Sequence, residues 1–218
     1  MKANMSLVAI ALLSGIASNA AAQNVLLNSG FEAGAGADAD NWTEILGGPS
    51  GTVGRSSAMP NSGSFSAYMS FDHINNPAAG GAYFMEQVQP VGSINPATQY
   101  DLSFFAKTDS TDFTGMDTFV QILWLDQDGS NGGGVQGEML TSLIGLGINN
   151  AYQQFNMNGL NVPAGADSFL LRFQLSAGAV NNIANGLYVD NASLAPVPAP
   201  ASAALLGLGG LLTARRRR

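Results

Sequence analysis

The chain has no cysteine and a single histidine, His73, and these two shortages remove several classes of chemistry. Without cysteine there is no disulfide framework, no thiol nucleophile and no thiolate metal site. A small domain must then rely on the size of its core, with or without a bound ion. With one histidine, in the loop-like stretch Phe71-Asp72-His73-Ile74-Asn75-Asn76-Pro77, a zinc cluster is out of reach. A serine–histidine–aspartate triad would have to use that residue, and no Gly-x-Ser-x-Gly elbow supplies its serine. The expectation for His73 is a surface position with its hydrogen bonds satisfied. No phosphate-binding glycine loop is present either.

Basic residues are almost as scarce. Lys2 and Arg215, Arg216, Arg217 and Arg218 lie at the two ends, leaving Arg55, Lys107 and Arg172 against all 15 acidic residues. So acidic a surface repels nucleic acid and anionic lipid, because phosphate binding needs clustered lysine and arginine. It is compatible with cations. Acidic residues mostly stand beside Gly or Asn in turns, where solvation is the default, so their number alone does not imply a two-carboxylate glycosidase.

Between the ends, short runs rich in Val, Phe, Tyr and Leu alternate with Gly, Asn, Asp and Pro, the pattern of an all-β sandwich or barrel. The expected strands include Val25–Leu27, Phe65–Phe71, Tyr83–Val88 and Tyr100–Lys107. Thr118–Leu125, Val135–Leu143, Tyr152–Leu160, Phe169–Leu175 and Leu187–Leu194 follow, for about ten antiparallel strands in all. Two of them show their faces plainly. Tyr100, Leu102, Phe104 and Ala106 alternate with Asp101, Ser103, Phe105 and Lys107; Phe169, Leu171, Phe173 and Leu175 alternate with Leu170, Arg172 and Gln174. Trp42 reads as a core residue.

The termini read as addresses. Lys2, the apolar Leu7–Ile16 and the small-residue Ala20-Ala21-Ala22 form a secretory signal peptide, residues 1–22, with the mature chain expected to begin at Gln23. Signal peptidase and the secretion machinery are its implied partners. Residues 23–194 form the domain. Residues 195–218 combine a proline-stiffened spacer, the apolar Ala201–Ala214 and the four arginines. The apolar run suits a membrane helix, although a lasting span needs about 20 residues. The arginines act as a stop that favours the cytoplasmic side.

This tail resembles the PEP-CTERM sorting signal of Gram-negative bacteria, whose recognition element corresponds to Val197, Pro198, Ala199 and Pro200. Ala199 departs from the glutamate that the family name implies. The resemblance implies transient anchoring in the inner membrane, processing by an exosortase-type membrane protease, and release to the cell surface or the extracellular matrix. The domain is similar to the carbohydrate-binding-module-like jelly rolls of the galactose-binding-like superfamily. Asn28-Ser29-Gly30-Phe31-Glu32, Thr98–Lys107, Val162-Pro163-Ala164-Gly165-Ala166 and Tyr188-Val189-Asp190-Asn191-Ala192 carry the likeness, in order. Tyr152-Gln153-Gln154 departs from it where many members place a tryptophan.

That second resemblance implies a structural Ca²⁺ held by Glu32 and Asp190 with backbone carbonyls, from Asn28 or from the turn Asn61–Ser64. The alternative is that the two carboxylates cap turns through backbone N–H groups. Asp126-Gln127-Asp128-Gly129-Ser130 has the alternating oxygens of an EF-hand start. Asn131 stands where its sixth-position glycine belongs and Gly137 where its last carboxylate belongs, so it reads as a solvated hairpin turn. For polysaccharide, the candidate stacking rings are Trp124, Tyr83, Tyr68 and Phe105, with Arg172, Gln121 and Gln174 as polar partners. Trp124 shares a strand face with Val120 and Ile122, which is also the pattern of a core residue. The expectation is an exported, non-catalytic sandwich acting as a structural or binding component of a matrix and contacting polysaccharide. A lectin-like module with a defined glycan is the first alternative and a glycoside-active enzyme the second.

Overall fold

Period-two alternation builds strands, and the computed structural model, which describes residues 22–76, 80–127, 134–179 and 182–198, stacks them in two layers. In chain order they are β1 (Gly34–Ala35), β2 (Asp38–Ala39), β3 (Thr43–Leu46), β4 (Gly51–Ser56), β5 (Ser66–Asp72) and β6 (Gly81–Val88). Then come β7 (Gln99–Thr108), β8 (Met116–Leu125), β9 (Val135–Ser142), β10 (Gln153–Asn161), β11 (Ser168–Ala177) and β12 (Ala184–Pro196). Sheet I has the order β10-β7-β12-β5-β4 and sheet II the order β3-β6-β11-β8-β9; β1 and β2 form a ladder of their own. All pairings are antiparallel. The chain crosses repeatedly between the sheets, so each layer is assembled from distant segments.

The core lies between the sheets. Phe169, Leu171, Phe173 and Leu175 of β11 face Leu102, Phe104 and Ala106 of β7, all fully buried. Phe104 meets Phe173 edge-on at 5.0 Å between ring centroids, joining the two layers. Trp42 closes one end, its ring 4.9 Å from Phe31 and its indole N–H donating to the Asn28 carbonyl. Each such side chain contributes about 1.5–3 kcal/mol when fully buried. A core of this size offsets the absence of covalent links.

Three expectations change. Val25–Leu27 is not a strand: side chains take the place of a ladder there. Gln87 accepts the Leu27 N–H and donates to the Leu27 carbonyl, while Asn24 binds Ala192 and Leu194. Asn28 and Phe31 then turn the chain with positive φ angles of 44° and 58°. Second, β3 and β4 stand outside the expected strands; β3 is four residues long and β4 carries two glycines. Third, His73 is buried rather than exposed, its ring 4.8 Å from Phe71, and among the described residues neither ring nitrogen has a partner.

β12 runs past Leu194, pairing Ala195 and Pro196 with Asp101 and Tyr100, and the Val197 N–H donates to the Gln99 carbonyl. Pro198 is exposed. Ala199, Pro200, the apolar run, the four arginines and residues 1–21 lie outside the described residues, as do Asp128, Gly129 and Ser130. Among the described residues, no helix is long and apolar enough to cross a membrane.

Candidate functional site

The rings proposed for stacking are the first point of correction. Trp124 is 3% exposed and Tyr83 0%, so neither can present a face to a sugar. Both point inward, Trp124 with Val120 and Ile122, Tyr83 with Met85. Tyr83 sits in a cage of glycines: a Cβ on Gly48, Gly51 or Gly81 would overlap its ring or hydroxyl. Tyr68 and Phe105 belong to the outer face of sheet I, the opposite layer from Arg172.

Arg172 and Gln121 do meet, on the outer face of sheet II, and Gln174, bonded to Ser176, shares that face. Register sets two rows across the strands. In one, Thr43, Glu86, Arg172, Gln121 and Leu140 lie side by side. In the next, Ile45, Phe84, Gln174, Phe119 and Ser142 do. Arg172 donates from Nε to Glu86 Oε2 at 2.7 Å, and its Nη2 lies 2.6 Å from the same oxygen. Its Nη1 donates to Gln121 Oε1 at 3.2 Å, and Gln121 Nε2 donates to Glu138 Oε1 at 2.7 Å. The guanidinium also lies 4.6 Å from the Phe84 ring centroid. One polar chain, Glu86–Arg172–Gln121–Glu138, thus crosses four strands.

Its energetics suggest that it is not there to hold the fold. Arg172 and Glu86 are only 23% and 12% exposed, so the desolvation of both charges offsets much of their attraction. Packed apolar side chains would stabilise a sheet at least as well. What the row supplies is fixed donors and acceptors beside half-buried rings. Neighbouring strands lie about 4.8 Å apart, so Phe84 and Phe119 flank Gln174 across about 10 Å. Rings with amide and guanidinium groups between them suit a ligand that is apolar on its faces and hydroxylated at its edges.

Sequence reasoning missed Phe84 and Phe119, although the signal was present. Phe119 shares parity with Gln121, and Phe84 with Glu86. In Ala82-Tyr83-Phe84-Met85, no polar residue marks the outer face, and Tyr83 was taken for its ring.

Glu32 and Asp190 come to the two ends of one turn. Asp190 Oδ2 accepts the N–H groups of Asn61 and Ser62, both at 2.9 Å, and its Oδ1 accepts that of Asn191. Glu32 Oε1 accepts the N–H groups of Ser64 and Phe65. Gly63, at φ 61°, passes so close to Glu32 that a Cβ would overlap its carboxylate. This is the turn-capping arrangement. Burial pushes the Asp190 carboxyl above its ordinary range; the three N–H bonds oppose that, and the charge of Glu32 adds to it. Among the described residues neither carboxylate has an ion-pair partner.

A Ca²⁺ ion at this corner would draw on Glu32, Asp190 and the Asn191 amide oxygen, oxygens that five backbone N–H groups and the Ser62 hydroxyl already engage. Such ions take 6–8 oxygens, so backbone groups would have to complete the set. No group of three or more His, Cys, Asp or Glu side chains suited to a metal occurs among the described residues.

No family model and no curated protein matches the chain in sequence. Solved structures match it in fold. The carbohydrate-binding module TmCBM61, in complex with β-1,4-galactotriose, is 13% identical with a TM-score of 0.50, over 80% of this chain and 99% of that one. The arabinose-bound α-L-arabinofuranosidase MgGH51 is 15% identical with a TM-score of 0.51, over 79% of this chain and 26% of that one. The Stig cyclase Fisc from Fischerella sp. TAU is 15% identical with a TM-score of 0.51, over 82% of this chain and 100% of that one. The described domain therefore shares the β-sandwich fold of carbohydrate-binding modules, a fold that also occurs in enzymes.

Proposed function

We propose that the protein is an exported, non-catalytic sandwich that holds polysaccharide across the outer face of sheet II. The observation that carries this reading is the row Phe84–Gln174–Phe119 beside the polar chain Glu86–Arg172–Gln121–Glu138. Stacking on a ring contributes apolar contact, while the fixed amides and guanidinium replace water on the sugar hydroxyls. Binding to a glycan array, lost on Phe119→Ala with an unchanged melting temperature, is the expected result. Wild-type protein that binds no glycan would remove the reading and leave a purely structural matrix role. Strong binding to one glycan alone would instead favour the lectin-like alternative.

The carboxylates on this face support a non-catalytic reading. Glu86 and Glu138 stand on strands whose backbones are about 14 Å apart, with the Arg172 guanidinium and the Gln121 amide between their carboxylates. Glycosidase pairs stand about 5–9.5 Å apart. Glu32 and Asp190 are closer to each other, but five backbone N–H groups engage them. Hydrolysis of any oligosaccharide by the purified protein would refute this part.

The tail beginning at Val197-Pro198-Ala199-Pro200 is assigned to sorting, with transient inner-membrane anchoring and processing by an exosortase-type protease. Mass spectrometry of the mature protein from its host should find the chain cut before Arg215; a tail intact through Arg218 would exclude processing. A structural Ca²⁺ at Glu32 and Asp190 would tie the start of the domain, the 61–65 turn and β12 together. A melting temperature lowered by chelator and restored by Ca²⁺ is expected, since an ion that binds only the folded chain stabilises it. Identical melting curves would remove the ion.

A further inference from the structure

The charge on the outer face of sheet II bears on which sugar chain it takes. This inference rests on the polysaccharide reading above. Of the three basic residues in the domain, Arg55 and Lys107 belong to strands of sheet I. Arg172 is therefore the only cation on the strands of sheet II, and its guanidinium is already engaged by Glu86 and Gln121. Glu86, Asp117 and Glu138 share the outer face with it, so carboxylates outnumber cations there by two. Glu86 and Glu138 stand at the two ends of the polar chain. Each takes the bonds just described through one oxygen, Oε2 of Glu86 and Oε1 of Glu138.

We infer that the ligand is a polysaccharide carrying free amines, a hexosamine chain at least partly N-deacetylated, laid across the strands with ammonium groups at Glu86 and Glu138. The ring of Phe119 offers stacking area, as it would to any hexopyranose. The two carboxylates distinguish an amino sugar from its acetylated form. A uronic-acid chain meets like charge at both ends and gains only the one guanidinium, which is already satisfied. Complementary charge on an open face selects among partners of the same shape more than it adds affinity.

The test is calorimetric titration of the full-length protein with four probes: a β-1,4-glucosamine oligomer, its N-acetylated counterpart, a neutral β-1,4-galactan oligomer and an oligogalacturonate. The glucosamine oligomer should bind about tenfold more tightly than the acetylated one, as two charge pairs allow, one at the exposed Glu138 and one at the half-buried Glu86. Added salt should erase the difference, and the galacturonate should not bind. Glu138→Gln, an exposed change on the edge strand β9, should lower affinity for the glucosamine oligomer several-fold more than affinity for the galactan oligomer. Equal affinity for the amine and acetylated chains would overturn the inference and leave the polysaccharide reading standing. Failure of all four probes would overturn both. Oligolysine binding as tightly as the glucosamine oligomer would also overturn it, by showing a surface for polycations in general.

Discussion

On the outer face of sheet I, Tyr68 and Tyr188 stack at 4.4 Å, and the segment between β4 and β5 is held there as a strap through Met59 and the 61–65 turn. Tyr152 donates its hydroxyl to the Met59 carbonyl at 2.6 Å, and Lys107 lies 5.2 Å from the Tyr188 ring centroid. Glu32 and Asp190 take the strap's N–H groups. On the outer face of sheet II, the aromatic and charged side chains bond to one another across the strands, and the edge residue Leu140 is 53% exposed. Tyr188 is buried on sheet I, while Tyr68, Phe105 and Tyr152 are half-buried, as Phe84 and Phe119 are on sheet II. What differs is the polar partner: a crossing segment of the chain on sheet I, side chains of neighbouring strands on sheet II.

The largest expected effect that separates the faces is on the strap. Asp190→Ala leaves the N–H groups of Asn61, Ser62 and Asn191 without their acceptor and should cost about 3 kcal/mol, read by urea denaturation. Glycan binding on sheet II should survive it. Loss of binding at retained fold would show that the two faces are coupled.

The same residue gives a pH signature. Its folded-state carboxyl titrates above the ordinary 3.8, so just above that value the folded chain still holds a proton that the unfolded chain has released. For this group, stability falls as pH rises through that window. Asp190→Asn should flatten this part of the stability–pH curve. A bound Ca²⁺, which favours the ionised form, should reverse its slope.

Arg172→Met leaves Glu86, only 12% exposed, without its partner and should cost about 1–3 kcal/mol. That variant should also lose glycan binding. A large loss of stability with binding intact would place Arg172 in the framework of sheet II rather than in its site. A smaller effect comes from Tyr152, whose phenol is pushed up to about 12, mainly by burial. The unfolded chain loses this proton near 10 and the folded chain later, so stability should fall as pH rises from 10 toward 12. Tyr152→Phe should cost about 1 kcal/mol at neutral pH and remove one late-titrating component from the tyrosinate absorbance.

Much of the fold was legible because the chain states it locally. The alternation in Tyr100–Lys107 and in Phe169–Leu175 named the inward faces of β7 and β11 residue by residue, and burial follows it. β4 was not legible, since Gly51, which reads as a turn residue, is there to admit the Tyr83 ring, and β3 is only four residues long. His73 misled for a related reason. Its neighbours Asp72, Asn75 and Asn76 make a polar turn, and nothing in that stretch shows its ring lying against Phe71. Of the residues named for a sugar site, Arg172, Gln121 and Gln174 lie on one outer face, while Trp124 and Tyr83 have the inward parity of their strands.

By itself, the sequence determined which residues of a strand share a face, the acid excess of the domain and the absence of thiol chemistry. These follow from a two-residue period and from composition, and need no knowledge of neighbours. Only the tertiary structure decided that Arg172 meets Glu86, 86 positions away, and Gln121, 51 positions away, on one face of one sheet. The pairing of β6, β11 and β8 brings them together. Strand order is set by the packing of two layers around a shared core, a property of the whole chain that no single stretch contains.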